Sequence, residues 1–344
     1  MKNAFPELLG NDALRERFRD DILNETLAHA YILEGPEGSG KHLFARLFAA
    51  ALSCEKRRED GVPLPCKNCP SCKKILSGNS PDLIFVGRKS DKATIGVETI
   101  RDLRADTIVA PNELDVKLYV IEEAQLMTIQ AQNALLLTLE EPPAYVRFLL
   151  LCESASPLLE TIKSRAPIFR MEPLARDLLA KELPRLSPEA SSLAKNDPAA
   201  FAELLAAADG SMGRALSFFE GGTQKSVLAA RELTRRFLKL ISSQKNAAET
   251  LEFLTSCPQK RDALTEQLGE FLLALSDLAA IKKVEKPRLC FFSDYDEADA
   301  LAMKLSLPRV LQLIDLLQNL SETIQRNANV RLALTAFAVE AKLL

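Results

Sequence analysis

The 344 residues are 47% hydrophobic and 26% charged, which makes a globular chain of two or three domains and argues against disorder. A formal net charge of −3 excludes a protein that coats nucleic acid unaided, and 6% aromatics with no Trp speak against single-strand stacking platforms. No apolar run approaches the span of a bilayer, and Lys2, Glu7, Asp12 and Arg15 stand where a signal peptide needs an apolar core, so a cytoplasmic protein without a membrane partner is expected.

In chain order, residues 5–28 place Leu8, Leu9, Leu14, Phe18, Ile22 and Leu27 at helical spacing and could flank a nucleotide base. A strand at 30–33 then runs into Gly35-Pro36-Glu37-Gly38-Ser39-Gly40-Lys41-His42 and an amphipathic stretch to 52. Strand, glycine loop and helix is the arrangement of a P-loop: Gly35, Gly38 and Gly40 let backbone N–H groups turn toward phosphate, and Lys41 reaches the outer phosphates. The bland alternative is a glycine turn without a ligand. The residue after the lysine is normally Ser or Thr, whose hydroxyl ligates Mg²⁺; here it is His42, and imidazole is a poor ligand for a hard cation.

Between 53 and 80 the text turns basic and proline-rich, as in an inserted module. Cys54, Cys66, Cys69 and Cys72 read C-x11-C-x2-C-x2-C, a spacing that closes a tetrahedral, structural Zn²⁺ site; an iron–sulfur cluster is the rival, although its run would continue with a fourth Cys followed by Pro. The other cysteines, Cys152, Cys257 and Cys290, are scattered, which fits metal binding in a reducing compartment better than a disulfide frame. The module's basic residues read either as a solvated face or as a DNA or partner contact.

A strand at 82–86, a helix at 97–108 and a strand at 117–121 follow, the last leading into Glu122-Glu123. Apolar residues ending in two carboxylates resemble a Walker B strand, in which the first carboxylate, usually Asp, positions Mg²⁺ and the second, Glu123, polarises the attacking water. A solvated strand end is the alternative. Glu122 is longer than Asp, and together with His42 it puts two altered residues on one metal, so hydrolysis is expected to be weak or absent. A helix at 128–139 stops at Glu140-Glu141-Pro142-Pro143. A strand at 146–151 ends at Cys152-Glu153-Ser154, where a γ-phosphate sensor would sit, and 158–163 leads to Ser164-Arg165-Ala166 and a short strand at 168–169. Alternating strands and helices make this an α/β parallel-sheet domain over 1–172. Beyond it the text is all-α: short helices over 173–222 with turns near Pro184, Pro188, Pro198 and Gly210, then longer ones at 226–242, 261–283, 307–325 and 330–343 in a domain over 223–344. Leu313, Leu316, Leu317 and Leu320 form an apolar face read as packing core.

The run 27–36, the cysteines inserted after the P-loop helix, Asn133-Ala134-Leu135-Leu136-Leu137-Thr138-Leu139-Glu140-Glu141-Pro142-Pro143 and Ser164-Arg165 together resemble a bacterial clamp-loader subunit of the AAA+ class over about the first 220 residues. Within that class the chain is most similar to the delta-prime type of DNA polymerase III, whose nucleotide site is often degraded, rather than to the gamma/tau ATPase. The resemblance implies a AAA+ domain with a zinc module, a small helical lid and a C-terminal helical collar. It also implies a hetero-oligomeric ring with other clamp-loader subunits, a sliding clamp as partner, and primed DNA reached through the complex. Arg165 matches the arginine of the family's Ser-Arg-Cys motif, which enters the neighbouring subunit's ATP site; Ala166 replaces the Cys, and a surface salt bridge is the plainer reading. Arg214 matches the lid arginine that senses nucleotide, or caps the lid interface if the metal site is dead. The rivals are an active ATPase of gamma/tau type that tolerates His42, and a stand-alone zinc-dependent nucleic-acid binder using Lys56, Arg57, Arg58, Lys73 and Lys74.

Overall fold

The computed structural model describes residues 3–90, 92–243, 247–326 and 328–343. Its chain forms two compact units, one of residues 1–174 with 211–213 and one of 175–210 with 214–344.

The first unit begins with α1 (Asp12–Leu23), β1 (Ala30–Glu34), α2 (Lys41–Leu52), α3 (Pro70–Leu76), β2 (Leu83–Val86), α4 (Val97–Asp106) and β3 (Lys117–Ile121). After a short 3₁₀ turn come α5 (Ile129–Glu140), β4 (Val146–Cys152), α6 (Glu160–Lys163) and β5 (Ile168–Arg170). The strands make one parallel sheet in the order β2-β3-β4-β1-β5. Both faces of such a sheet must be covered, and the two-residue period of the strands sorts the side chains. Tyr31, Leu33, Leu118, Val120, Leu149 and Leu151 join α1, α2 and the module cysteines on one face. Ala30, Ile32, Tyr119, Ile121, Phe148 and Leu150 pack with α4 and α5 on the other. Register sets Glu34 beside Cys152, and Ile121 beside both Val86 and Leu150, so β1 to β4 present their carboxyl ends on one edge. In an open α/β sheet that edge is where ligands sit.

The second unit is helical: α7 (Arg176–Leu186), α8 (Pro188–Asn196), α9 (Pro198–Ala207), α10 (Met212–Glu220, whose first residues group with the first unit), α11 (Gln224–Ser242), α12 (Ala247–Ser256), α13 (Arg261–Ile281), α14 (Tyr295–Ala302), α15 (Leu307–Gln325) and α16 (Val330–Leu343). Pro188 and Pro198 open α8 and α9 at the first helical turn, where their missing N–H costs nothing. Pro184, expected to mark a turn, lies inside α7. It falls in the last turn, so only one helical hydrogen bond is forfeited before the helix stops. Leu313, Leu317 and Leu320 are buried and Leu316 packs against the same core, as the apolar face of α15 requires. A polar cluster crosses this unit. The fully buried Arg231 pairs with Glu203 at 2.9 Å and lies 4.4 Å from the centroid of Phe291, while Arg235 bridges Glu203 and Glu297. Burial alone would raise Glu203, but hydrogen bonds from Arg235, Ser293 and Arg231 outweigh it and hold the carboxyl below its usual range. This cluster ties α9 to α11 and α14. Among the described residues no helix is long and apolar enough to cross a membrane.

Candidate functional site

The loop after β1 has P-loop geometry. Gly38 and Gly40 take φ of +70° and +95°, and Gly40 opens α2 directly, so the helix N-terminus faces the loop. Lys41 is turned back into the loop, where its Nζ donates to the carbonyls of Gly35 at 2.6 Å and Pro36 at 2.8 Å. Burial pulls its pKa down, and Glu153, Cys152 and Glu37 act the other way. Over the loop, the Gly213 amide donates to the Gly38 carbonyl at 3.1 Å. A Cβ at Gly213 would fall 2.9 Å from the Gly38 Cα, so only glycine allows this approach.

His42 and Glu122, the two residues that depart from the expected motif, satisfy each other. His42 Nε2 lies 2.7 Å from Glu122 Oε1. A carboxylate only accepts, so Nε2 carries the proton in this pair. The His42 ring lies nearly parallel to Phe85 of β2, and Arg46, one helical turn along α2, sets its guanidinium 5.6 Å from the same ring. Glu123, at φ +47°, is gripped by Arg88, whose Nε and Nη2 donate to its two oxygens at 2.7 and 3.3 Å. At the end of β4, burial pushes the Cys152 thiol up to about 12, so it stays neutral, and the Glu153 amide donates to the Gln125 side chain. Glu34 accepts from Arg170 and from the Ala155 amide.

Arg165 lies at the end of α6 on the same unit. Its Nη1 donates to the Thr161 carbonyl at 3.0 Å and its Nη2 to Glu140 Oε1 at 2.9 Å. Arg214 belongs to the second unit, where its charge and that of Arg231 act against the burial that raises Glu270. The structure thus gathers Gly35, Gly38, Gly40, Lys41, His42, Glu122 and Glu123 at one edge, and sets Arg165 on a separate helix end. Arg88 and Arg46 escaped the sequence reading, which placed Phe85 only in a strand and Glu140 only at a helix stop and in the family-like run. Arg88 could have been found, because it follows β2, the strand paired directly with the one that ends in Glu122-Glu123.

The four module cysteines converge, all buried, with their sulfurs within 4.8 Å of one another. Their donor set fits a tetrahedral thiolate-bound metal. Amides of Cys66, Cys69 and Cys72 point at the sulfurs of Cys54, Cys66 and Cys69, as expected where thiolates need stabilising. Burial would raise Cys66, yet backbone donors from Cys69 and Asn68 bring it to about 7. Most of the surrounding basic residues are paired within the chain: Arg58 with Glu25, Lys67 with Glu7, Lys74 with Glu113, Lys56 with Glu59. That is a solvated, internally neutralised face and weakens the reading of a nucleic-acid platform.

The family described as "DNA polymerase III, delta subunit" matches residues 10–175. Among curated proteins the chain is 29% identical to DNA polymerase III subunit tau of Bacillus subtilis over 290 residues, covering 81% of this chain and 50% of that one. It is 34% identical to the tau subunit of Salmonella typhimurium over 215 residues, covering 62% of this chain and 32% of the other. It is 37% identical to the delta-prime subunit of Bacillus subtilis over 155 residues, or 45% of each chain. The chain spans half or less of the length of these relatives.

Proposed function

Starting from its membership of the bacterial DNA polymerase III clamp-loader subunits of the AAA+ class, we propose that this chain is a delta-prime-type subunit. In this reading it hydrolyses little or no ATP itself and delivers Arg165 to a neighbouring subunit's ATP site. It would sit in a hetero-oligomeric ring in the cytoplasm and help place the sliding clamp on primed DNA. Residues 1–172 act as the AAA+ domain with its zinc module at 53–80, 173–222 as lid and 223–344 as collar.

The observation that carries this reading is the hydrogen bond between His42 and Glu122, which engages with each other the two side chains at the motif positions that would otherwise serve magnesium. Charge points the same way. Glu34 ends β1, Glu37 lies in the loop, and Glu122, Glu123 and Glu153 follow β3 and β4, so five carboxylates offset Lys41, His42, Arg46, Arg88 and Arg170 and the edge lacks the strong positive excess that draws a triphosphate. With Arg88 on Glu123, the carboxylate that would orient water is also engaged. Nucleotide, where bound, would be held by the amides of the loop and by Lys41, and Arg214 would serve the lid rather than sense phosphate. Cys54, Cys66, Cys69 and Cys72 would hold a structural zinc that stands in for the apolar core the module is too short to own.

A guanidinium suits the role given to Arg165, because it cannot deprotonate and forks onto phosphoryl oxygens, as a lysine would not. In a loader reconstituted with its partner subunits, Arg165→Ala should lower ATPase while assembly by gel filtration is unchanged; unchanged ATPase would refute the reading. An active gamma/tau-type ATPase is the second reading, favoured by the complete glycine loop with Lys41 and by the tau relatives. Turnover of Mg-ATP by the purified chain, lost on Lys41→Ala, would select it.

A further inference from the structure

Arg165 is held from two sides. Nη1 donates to the Thr161 carbonyl at 3.0 Å and, at 3.5 Å, to Ser164 Oγ, both within its own helix end. Nη2 donates across to Glu140, the last residue of α5, twenty-five positions away in sequence. Many other charged pairs on this surface, such as Arg101 with Glu98 or Lys163 with Glu160, are single-turn neighbours that a helix brings together in any case. The pair of Arg165 and Glu140 instead joins α6 to α5.

Glu140 is also in an electrostatically poor place. It ends a helix, where the macrodipole disfavours a carboxylate, Glu141 follows it, and no basic residue lies in the last turn of α5. Its compensating cation comes from another helix. The guanidinium keeps Nε–H without a partner among the described residues, so one of its edges can still receive an acceptor from outside while the other is fixed.

We propose that Glu140 is a positioning residue for Arg165. It pre-orders the guanidinium on the free chain so that a phosphoryl group arriving from a neighbouring subunit meets a fixed donor. An unanchored arginine would spend part of the interaction on lost rotamer freedom. This rests on the assignment of Arg165 to a neighbour's phosphates.

The test uses the reconstituted loader with DNA-stimulated ATP turnover, comparing Glu140→Ala, Glu140→Gln, Arg165→Ala and the double variant Glu140→Ala/Arg165→Ala. Positioning requires that Glu140→Ala lower kcat about tenfold with KM unchanged. Glu140→Gln, which keeps an acceptor oxygen, should recover most of that loss, and the double variant should equal Arg165→Ala alone. A silent Glu140→Ala beside a damaging Arg165→Ala would overturn the inference while leaving the trans arginine intact. So would a rise in kcat, which would make Glu140 a competitor, or a Glu140→Ala loss that persists in the Arg165→Ala background. A silent Arg165→Ala would instead remove the reading on which the inference stands.

Discussion

Two ends of the same sheet domain treat their charges in opposite ways. At the carboxyl ends of β1 and β3 the polar groups around the P-loop are engaged with one another or with the loop: His42 with Glu122, Arg88 with Glu123, Lys41 with the loop carbonyls. At the ends of α5 and α6, Arg165 is held by Glu140 and Thr161 yet keeps its Nε–H without a partner among the described residues. A domain can keep the shape of a nucleotide site after its metal chemistry has been replaced, provided its reactive charge is carried at an edge. On the function proposed above, the inner site would serve as architecture and the edge would do the chemistry.

The largest expected effect comes from breaking the outer end. An arginine in trans contributes on the order of 10³-fold to phosphoryl transfer, so Arg165→Ala should reduce loader turnover to what the remaining sites supply. Next, if the four clustered thiols hold the proposed zinc, a chelator should raise hydrogen exchange over 53–80 by about 10²-fold or more, because the buried sulfurs would lose the ion that closes them. Exchange near Arg165 should change little, and equal loosening there would mean that the two ends are not independent. Reopening the inner site is a smaller step. His42→Ser with Glu122→Asp should make nucleotide affinity of the isolated chain magnesium-dependent by about tenfold, read by calorimetry with and without Mg²⁺. No gain would show that Glu153 and its neighbours, rather than the metal positions, shut the site. The smallest effect belongs to Arg88→Ala. An exposed pair contributes at most about 1 kcal/mol, so thermal stability should barely shift, and on the proposed reading no turnover should appear, since Glu123 would have no metal-bound phosphate to serve.

Most of the sheet was legible because buried parallel strands are short apolar runs with few alternatives, and β3 begins and ends at the expected residues, Lys117 and Ile121. The P-loop and the cysteines announced themselves through glycine and thiol spacing. Helices α3, α12 and α14 were not foreseen. Each is ten residues or fewer, and α3 is held by its cysteines and a proline at its first turn rather than by a periodic apolar face. Pairings across the sheet were also invisible. That His42 touches Glu122, or Arg165 touches Glu140, depends on which strands and helices become neighbours, and spacing along the chain does not carry that information. The altered residue types at 42 and 122 were readable, but their mutual satisfaction was not.

The most direct measurement is turnover and nucleotide affinity of the purified chain alone, with and without Mg²⁺. Expected are no phosphate release above background and an affinity that Mg²⁺ leaves unchanged within about twofold. Sustained phosphate release that requires Mg²⁺ and disappears on Lys41→Ala would contradict the claim that this subunit's chemistry lies at its edge.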